Sequence, residues 1–533
     1  MKKNFLFAMA MAAVFAGCSS DDDPVAVQGD SNGFMTFNVE LPSISTTRAM
    51  NDQFVEGEDI EYAVDDVTIC LLDNTGEILQ VETTTPSWTD KGADGINVQR
   101  ISSTIEVKTE KEPTQVLVVL NNNSNFTLTT GDTFDNEVLI SKNSSNFIKD
   151  QSATNKVAKG ITMTNAAIVN ASNIIKTLTP VTEDNICKTQ AEALENPVEV
   201  YVERIVAKVS VTGTTSFTSG IPTGMTSIEL NNWELDITNT ATYPLRETLA
   251  DWLVKDNFMS DHPSYIAGNI NRMVGGTSTT PQRVYWAIDP NYQDADKTGS
   301  DYNYGFDRIS TVDNAMTDVD YCLENTFDIE NQKQDQTTRV VFKATIAPSV
   351  AGYTTGDNFF TKGNSSDIWT IGDLSTEIQT VATNEDVTVG TINNSVLTDA
   401  VAGKLTLNET NLSTLLGVTI DPAKATAISA KLGDIVCYED GICYYVARIK
   451  HFGDDLTPWT VEDPRYNNDN KKWLGRYGVL RNNWYELNVT GIKKLGTPTI
   501  PTPEDTWDDE VEQYMVYKIN ILSWAKRTQD VEL

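Results

Sequence analysis

Phe34-Met35-Thr36-Phe37-Asn38-Val39-Glu40-Leu41 alternates apolar and polar side chains with a period of two. Met35, Phe37, Val39 and Leu41 share one face of an extended chain while Thr36, Asn38 and Glu40 share the other, which predicts a half-buried strand closed by Pro42. Met515-Val516-Tyr517-Lys518-Ile519-Asn520-Ile521-Leu522 repeats that cadence, with Met515, Tyr517, Ile519 and Ile521 on one face. Each set runs Met, aromatic, β-branched, aliphatic. Between the two, β-rich runs recur at 67–72, 116–120, 198–211, 227–238, 339–346, 435–449 and 484–492, broken by turns such as Asp73-Asn74-Thr75-Gly76. Short strands at this spacing predict an all-β chain of sandwich type. Helical periodicity is confined to residues 246–258 and 422–432, expected to decorate loops.

At ~100–200 residues per domain, 533 residues exceed one core, and two domains fit best, at 49–212 and 213–496. The boundary is expected where the valine-rich run 198–211 gives way to Thr212-Gly213-Thr214-Thr215-Ser216. Forty basic against 75 acidic residues, a formal charge of −35, argue against nucleic acid as a partner, because the phosphate contribution would be repulsive. Six cysteines are too few for a disulfide-built scaffold, and two histidines leave little for a metal site. The motifs HExxH, GxSxG, GxxxxGK[ST] and the glycine-rich dinucleotide fingerprint are missing from the sequence, so neither enzymatic activity nor a cofactor is expected. His262 and His451 read as surface or packing residues. Asp294-Ala295-Asp296-Lys297-Thr298-Gly299 imitates the start of a calcium loop but has Gly305 where the bidentate acid belongs, and reads as a polar loop. Cys437 and Cys443 face each other, as a possible disulfide, if Glu439-Asp440-Gly441 forms a three-residue hairpin loop with a left-handed glycine. A two-residue Asp-Gly loop separates them. Cys70, Cys187 and Cys322 read as buried thiols.

Residues 1–18 carry Lys2 and Lys3, an apolar run over 5–16, and Ala16-Gly17 before Cys18, the pattern of an exported segment. It resembles a bacterial lipobox, in which Cys18 would be acylated, and Ser19-Ser20-Asp21-Asp22-Asp23 resembles the acidic tether of surface lipoproteins. Residues 19–48 then form a propeptide containing the first strand. Arg48 is the sole arginine before Arg100 and sits in the polar stretch 43–49, so a trypsin-like protease is expected to cut between Arg48 and Ala49. The cut would remove the strand with its four inward side chains, an upper estimate of roughly 6–12 kcal/mol at ~1.5–3 kcal/mol each. That rivals the ~5–15 kcal/mol stability of a whole domain. Residues 497–533 comprise a Pro/Thr/acid linker, long enough to leave the parent domain, and the second patterned strand. That strand, from a neighbouring molecule, would refill the groove, giving a heterologous contact that grows into an open fibre.

Two further stretches carry a family resemblance. Tyr201-Val202-Glu203-Arg204-Ile205-Val206-Ala207-Lys208-Val209 resembles the VERxVAKV run of Bacteroidetes fimbrillins, subunits of type V pili. Residues 477–496, with Tyr477-Gly478-Val479-Leu480-Arg481-Asn482-Asn483-Trp484-Tyr485 and Ile492-Lys493-Lys494-Leu495-Gly496, resemble the signature that closes their C-terminal domain. Residues 521–533 resemble the last strand of the Mfa-type (minor fimbrium) shaft subunits. The resemblance implies two tandem transthyretin-like β-sandwich domains with short helical insertions and a C-terminal donor strand. It also implies a lipoprotein precursor at the outer membrane, lipidated at Cys18 and cut at Arg48/Ala49 by an arginine-specific protease. Met35, Phe37, Val39 and Leu41 become the displaced strand, and Met515, Tyr517, Ile519 and Ile521 the donor strand. The implied partners are other copies of the chain in a head-to-tail polymer, accessory anchor and tip fimbrial subunits, and host or bacterial surface receptors, in a fimbrium serving adhesion and biofilm formation. The rival expectation is an anchored surface lipoprotein that binds glycans or a protein partner without polymerising.

Overall fold

A computed structural model describes residues 33–41, 54–55, 58–91, 98–136, 139, 141–169, 174–247, 274–275, 282–287, 289–292, 305–327, 329–363, 365, 367–398, 403–452, 457–460, 463, 473–508 and 514–524. The chain opens with β1 (Gly33–Glu40), β2 (Phe54–Val55), β3 (Val67–Leu72), β4 (Ile78–Thr84), β5 (Trp88–Lys91), β6 (Val98–Val107), β7 (Gln115–Leu120), β8 (Met163–Asn165), the short helix α1 (Gln190–Glu195) and β9 (Val198–Arg204). All of these strands except β2 join one sheet in the order β4-β3-β7-β8-β9-β1-β6-β5. The sheet turns a corner at β9, whose residues 198–201 ladder with β1 while residues 202–204 ladder with β8. It therefore folds over on itself as a sandwich, with Phe37, Ile69, Ile105, Val118 and Val200 among its inward residues. The central strands β3 and β7 read as continuous apolar runs because both of their faces are covered. Their outer residues Cys70, Leu117 and Val119 pack with Val206, Tyr321 and Leu323 of a second sandwich.

That second sandwich comprises β10 (Val206–Gly213), β11 (Met225–Asp236), β12 (Val319–Leu323), β13 (Arg339–Pro348), β14 (Ile442–Arg448), β15 (Asn483–Ile492) and β16 (Met515–Trp524). One sheet runs β2-β16-β15-β10-β12; the other places β11, β13 and β14 beside Ser216–Phe217. Val209, Trp233, Phe342, Tyr445 and Leu487 fill the space between them. The all-β expectation holds, with two tandem sandwiches, helical insertions and a C-terminal strand. The crossing between sandwiches lies at the buried Ile205, earlier than the expected 212/213 boundary. The valine-rich run is one extended segment serving two sheets in turn, and periodicity does not register a change of sheet.

Helices α2 (Ile371–Asn384), α3 (Ser395–Thr398), α4 (Glu409–Leu416) and α5 (Pro422–Leu432) form the insertion between β13 and β14. Thr370 caps α2, accepting from the Asp373 amide at 3.1 Å, and Asp421 caps α5 with Pro422 in its first turn. The helix expected over 422–432 is present; of the one expected over 246–258, only Arg246 and Glu247 are described. The insertion is more than decoration, because Leu374, Ile378, Leu412 and Ile428 build a core of its own over the short strands Phe359–Lys362, Lys404–Leu405 and Ile435–Tyr438.

Charged side chains buried between the sandwiches lock them together. Glu61 accepts from Lys208 Nζ at 2.8 Å and from the Tyr321 hydroxyl at 2.6 Å, and Lys208 Nζ lies 4.0 Å from the Trp484 ring centroid. Arg204 stacks over Tyr62 and donates to Asn482 Oδ1 at 3.3 Å. Arg246 bridges Glu203 at 2.7 Å and Glu324 at 3.2 Å, and Arg481 donates to the second Glu324 oxygen. Desolvation pushes the Glu324 carboxyl up, but Arg481 and Arg246 outweigh it and hold its pKa below the ordinary value. A depressed carboxylate stabilises the fold above its unfolded pKa of ~4.3, and this contribution is lost as pH falls through the folded value. Glu324→Gln, which takes the carboxylate from the buried Arg481 and leaves Arg246 with Glu203 alone, is expected to cost about 3–5 kcal/mol in denaturant titrations and to flatten the acid limb of stability against pH.

Candidate strand-exchange site

β1 is an interior strand. It ladders antiparallel with β6 from Gly33 opposite Val107 to Glu40 opposite Arg100, and parallel with β9 from Phe37 opposite Val198 to Glu40 opposite Tyr201. Met35, Phe37 and Val39 are fully buried and Leu41 is 2 % exposed. The structure thus brings all four of these predicted residues into the core. The other face is covered as well, which corrects the half-buried expectation. Thr36 Oγ1 lies 2.8 Å from Thr104 Oγ1, Asn38 donates to Glu199 at 3.0 Å, and Arg100 lies 2.6 Å from Glu40 and 3.4 Å from Glu199. Burial above all, with the Glu40 carboxyl adding to it, raises the pKa of Glu199. Helix α1 packs against β1. The entry to β1 is clipped: Phe34 N donates to Cys187 O at 2.7 Å and Cys187 N returns the bond at 2.9 Å. Gly33 makes this approach possible, since at φ +141° a Cβ would lie 2.5 Å from Cys187 O.

β16 pairs antiparallel with β15 from Asn483 opposite Ser523 to Ile492 opposite Met515, with an irregularity between Val489 and Gly491. Met515 is 2 % exposed, and Ile519 packs partly buried on the second core. These two residues of the second predicted set share the core face as expected; the side chains of Tyr517 and Ile521 lie outside the described residues. The strand sits on its own domain, and the linker before it is not free-standing. Thr497 and Tyr444 exchange backbone bonds of 3.0 and 2.8 Å, the Gln334 amide donates to Thr506 O at 2.7 Å, and Lys333 pairs with Asp505 at 2.7 Å. Within the monomer this segment therefore lies along its own domain. Its prolines lack donors but keep their carbonyls, and Arg339 donates to Pro501 O at 2.5 Å.

Cys18, Arg48, Ala49, His262 and the loop at Asp294–Gly299 lie outside the described residues. His451 is a packing residue, 3 % exposed, with Nδ1 2.8 Å from the Tyr485 hydroxyl. The hairpin that would bring Cys437 and Cys443 face to face is absent, and both thiols are free. Gly441 does adopt the left-handed conformation, at φ +68°, but so does Asp440 at +51°, and the strands flanking this turn belong to different sheets. Cys437 consequently faces the helical core and Cys443 the second sandwich core.

The seam residues Glu61, Glu203, Arg204, Lys208, Glu324, Arg481 and Asn482 escaped functional reading of the sequence. The signal was there: charged residues inside the valine-rich run must find partners once that run is buried.

Comparison with known proteins adds one match by sequence: residues 436–530 match the family model for the C-terminal region of fimbrillin, the major fimbrial subunit protein type IV. No curated protein matches. Among solved structures, a Parabacteroides distasonis protein provisionally assigned to cell adhesion is 13 % identical with a TM-score of 0.42, covering 94 % of this chain and 99 % of that one. The C-terminally truncated tip fimbrial protein Mfa3 of Porphyromonas gingivalis is 11 % identical, TM-score 0.29, covering 92 % and 99 %. The fimbrial anchor protein Mfa2 from the same organism is 9 % identical, TM-score 0.21, covering 58 % and 78 %.

Two measurements test this geometry. Phe37→Ala is expected to destabilise the protein by about 3–5 kcal/mol in chemical denaturation, whereas Trp88→Ala, at a side chain 43 % exposed, should stay within about 0.5 kcal/mol. Burial pushes the thiols of Cys70, Cys437 and Cys443 up to about 12. Alkylation followed by mass spectrometry should therefore leave them unlabelled in the native protein and label all three after unfolding, without prior reduction.

Proposed function

We propose that the chain is a structural, non-enzymatic subunit of surface fimbriae, a reading supported by the match of residues 436–530 to the family model for the C-terminal region of fimbrillin. In this reading the chain is exported as an outer-membrane lipoprotein precursor acylated at Cys18. An arginine-specific protease cuts it between Arg48 and Ala49, and the processed copies polymerise by strand exchange. The observation that carries the reading is the position of β1. It is an interior strand, buried on both faces, and the candidate processing bond follows it closely in sequence. Losing it would break two ladders and empty four core positions, leaving a groove that the first sandwich has no other strand to fill among the described residues. A strand with the pattern of Met515, Tyr517, Ile519 and Ile521 suits that groove, because equivalent side-chain classes recur at equivalent spacing. Each copy then presents one groove and one strand, and the contact repeats head to tail. Anchor and tip subunits would terminate such a polymer, and receptors on host or bacterial surfaces would give it an adhesive role in biofilm formation.

Electron microscopy of purified, protease-treated protein tests the reading. Wild type should form fibres, more readily as added salt screens the repulsion of this acidic chain. Arg48→Ala should remain an unpolymerised precursor. Deleting residues 506–533 should abolish fibres while circular dichroism still reports a folded β protein. Normal fibres from either variant would overturn the scheme.

A further inference from the structure

Among the described residues, the edge of β16 opposite β15 is paired at one end only. There β2 pairs with it in parallel, Phe54 opposite Ser523 and Val55 opposite Trp524. A two-residue ladder has no independent stability and must be held by what lies on either side of it. Downstream, the 3₁₀ turn Asp59–Tyr62 is fixed in the seam, where Glu61 takes Lys208 and Tyr321 and Tyr62 lies under Arg204. Upstream, β1 is clamped between β6 and β9. Residues 42–53 connect that clamped strand of the first sandwich to β2 on the second, so β2 is tethered from both directions. Such tethering keeps its local concentration at β16 high and its closure cost low. Its position along β16 also counts. The linker before β16 is seated on the domain at Thr497, Asp505 and Thr506, and β2 covers the opposite, C-terminal end of the strand.

We propose that β2 is a clasp that retains the C-terminal strand on its own domain, and that cutting the chain between β1 and β2 loosens the clasp. Resting on the processing step proposed above, a single cleavage then does two things: it detaches the strand occupying the groove and readies the strand that fills the groove of the next copy. The precursor cannot polymerise early, because its groove is filled and its donor strand is held. After the cut, β2 keeps its anchor at Glu61 and Tyr62 but loses the one at β1, and becomes the loose end of a chain.

Hydrogen exchange with mass spectrometry on the uncleavable Arg48→Ala protein tests the clasp independently of fibre formation. Replacing Phe54→Pro and Val55→Pro together removes whichever of these amides donates to β16. The amides of residues 515–524 should then exchange on the order of tenfold faster, the factor corresponding to ~1.4 kcal/mol, with β3 and β13 unchanged. Unaltered protection of 515–524 in a variant with native circular dichroism would overturn the proposal. A second variant, Val55→Cys with Trp524→Cys, closes the clasp covalently. Cleaved and oxidised, it should stay monomeric until a reductant is added, whereas fibres from the oxidised, cleaved protein would again refute the clasp. Faster exchange in the proline variant, together with no fibres from any form of the protein, would uphold the clasp and count against the assembly reading instead.

Discussion

One extended segment, residues 198–213, belongs to two sandwiches, and the architecture depends on where it changes allegiance. Up to Arg204 it ladders with β1 and β8; from Val206 it ladders with β12 and β15. The change at Ile205 forces Glu203, Arg204 and Lys208 into the space between the domains, where water cannot solvate them. Buried charge is tolerated there only because each group meets a partner from elsewhere in the chain: Arg246, Asn482 and Glu61. Asn482 closes the arrangement by donating its own amide to Val206 O at 2.9 Å. These pairs act together with the apolar cluster of Cys70, Leu117, Val119, Val206, Tyr321 and Leu323 to hold the two sandwiches against each other.

This seam also governs the two patterned strands. β1 lies in the sandwich before the crossing and β16 in the one after it, while β2 and Asp59–Tyr62 run from one to the other. β1 has partners on both edges along much of its length, and both of its faces are covered. β16 has one full ladder and one two-residue contact. Strands so unequally held differ in how they can leave: the first needs its covalent connection broken, and the second needs an edge to be uncovered.

How much of this was legible beforehand varies by element. The alternation of Met35, Phe37, Val39 and Leu41 marked β1 and its inward face, and Asp421 with Pro422 marked the start of α5, because period and capping are local properties. The covering of Thr36, Asn38 and Glu40 was not legible. Their partners Thr104, Glu199 and Arg100 are distant in sequence, and polar side chains carry no sign of being buried when they are satisfied. Whether Cys437 and Cys443 could meet was not legible for a related reason: the loop residues allow a left-handed Gly441, but whether the flanking strands share a sheet depends on the 359–362 and 404–405 strands, far away in the chain.

By itself, then, the sequence determined that this is an all-β, acidic protein with two strands of matching pattern near its ends, since alternation, charge balance and turn residues are written in neighbouring positions. The tertiary structure alone decided that one of those strands is interior, that the other rests on its own domain beneath β2, and that Glu61, Arg246, Glu324 and Arg481 are the charges that hold the seam. Those are choices of partner, and partners are selected by the folded chain as a whole: burial makes an unpaired charge or an open ladder too costly, so each finds its complement wherever the fold brings one within hydrogen-bonding distance.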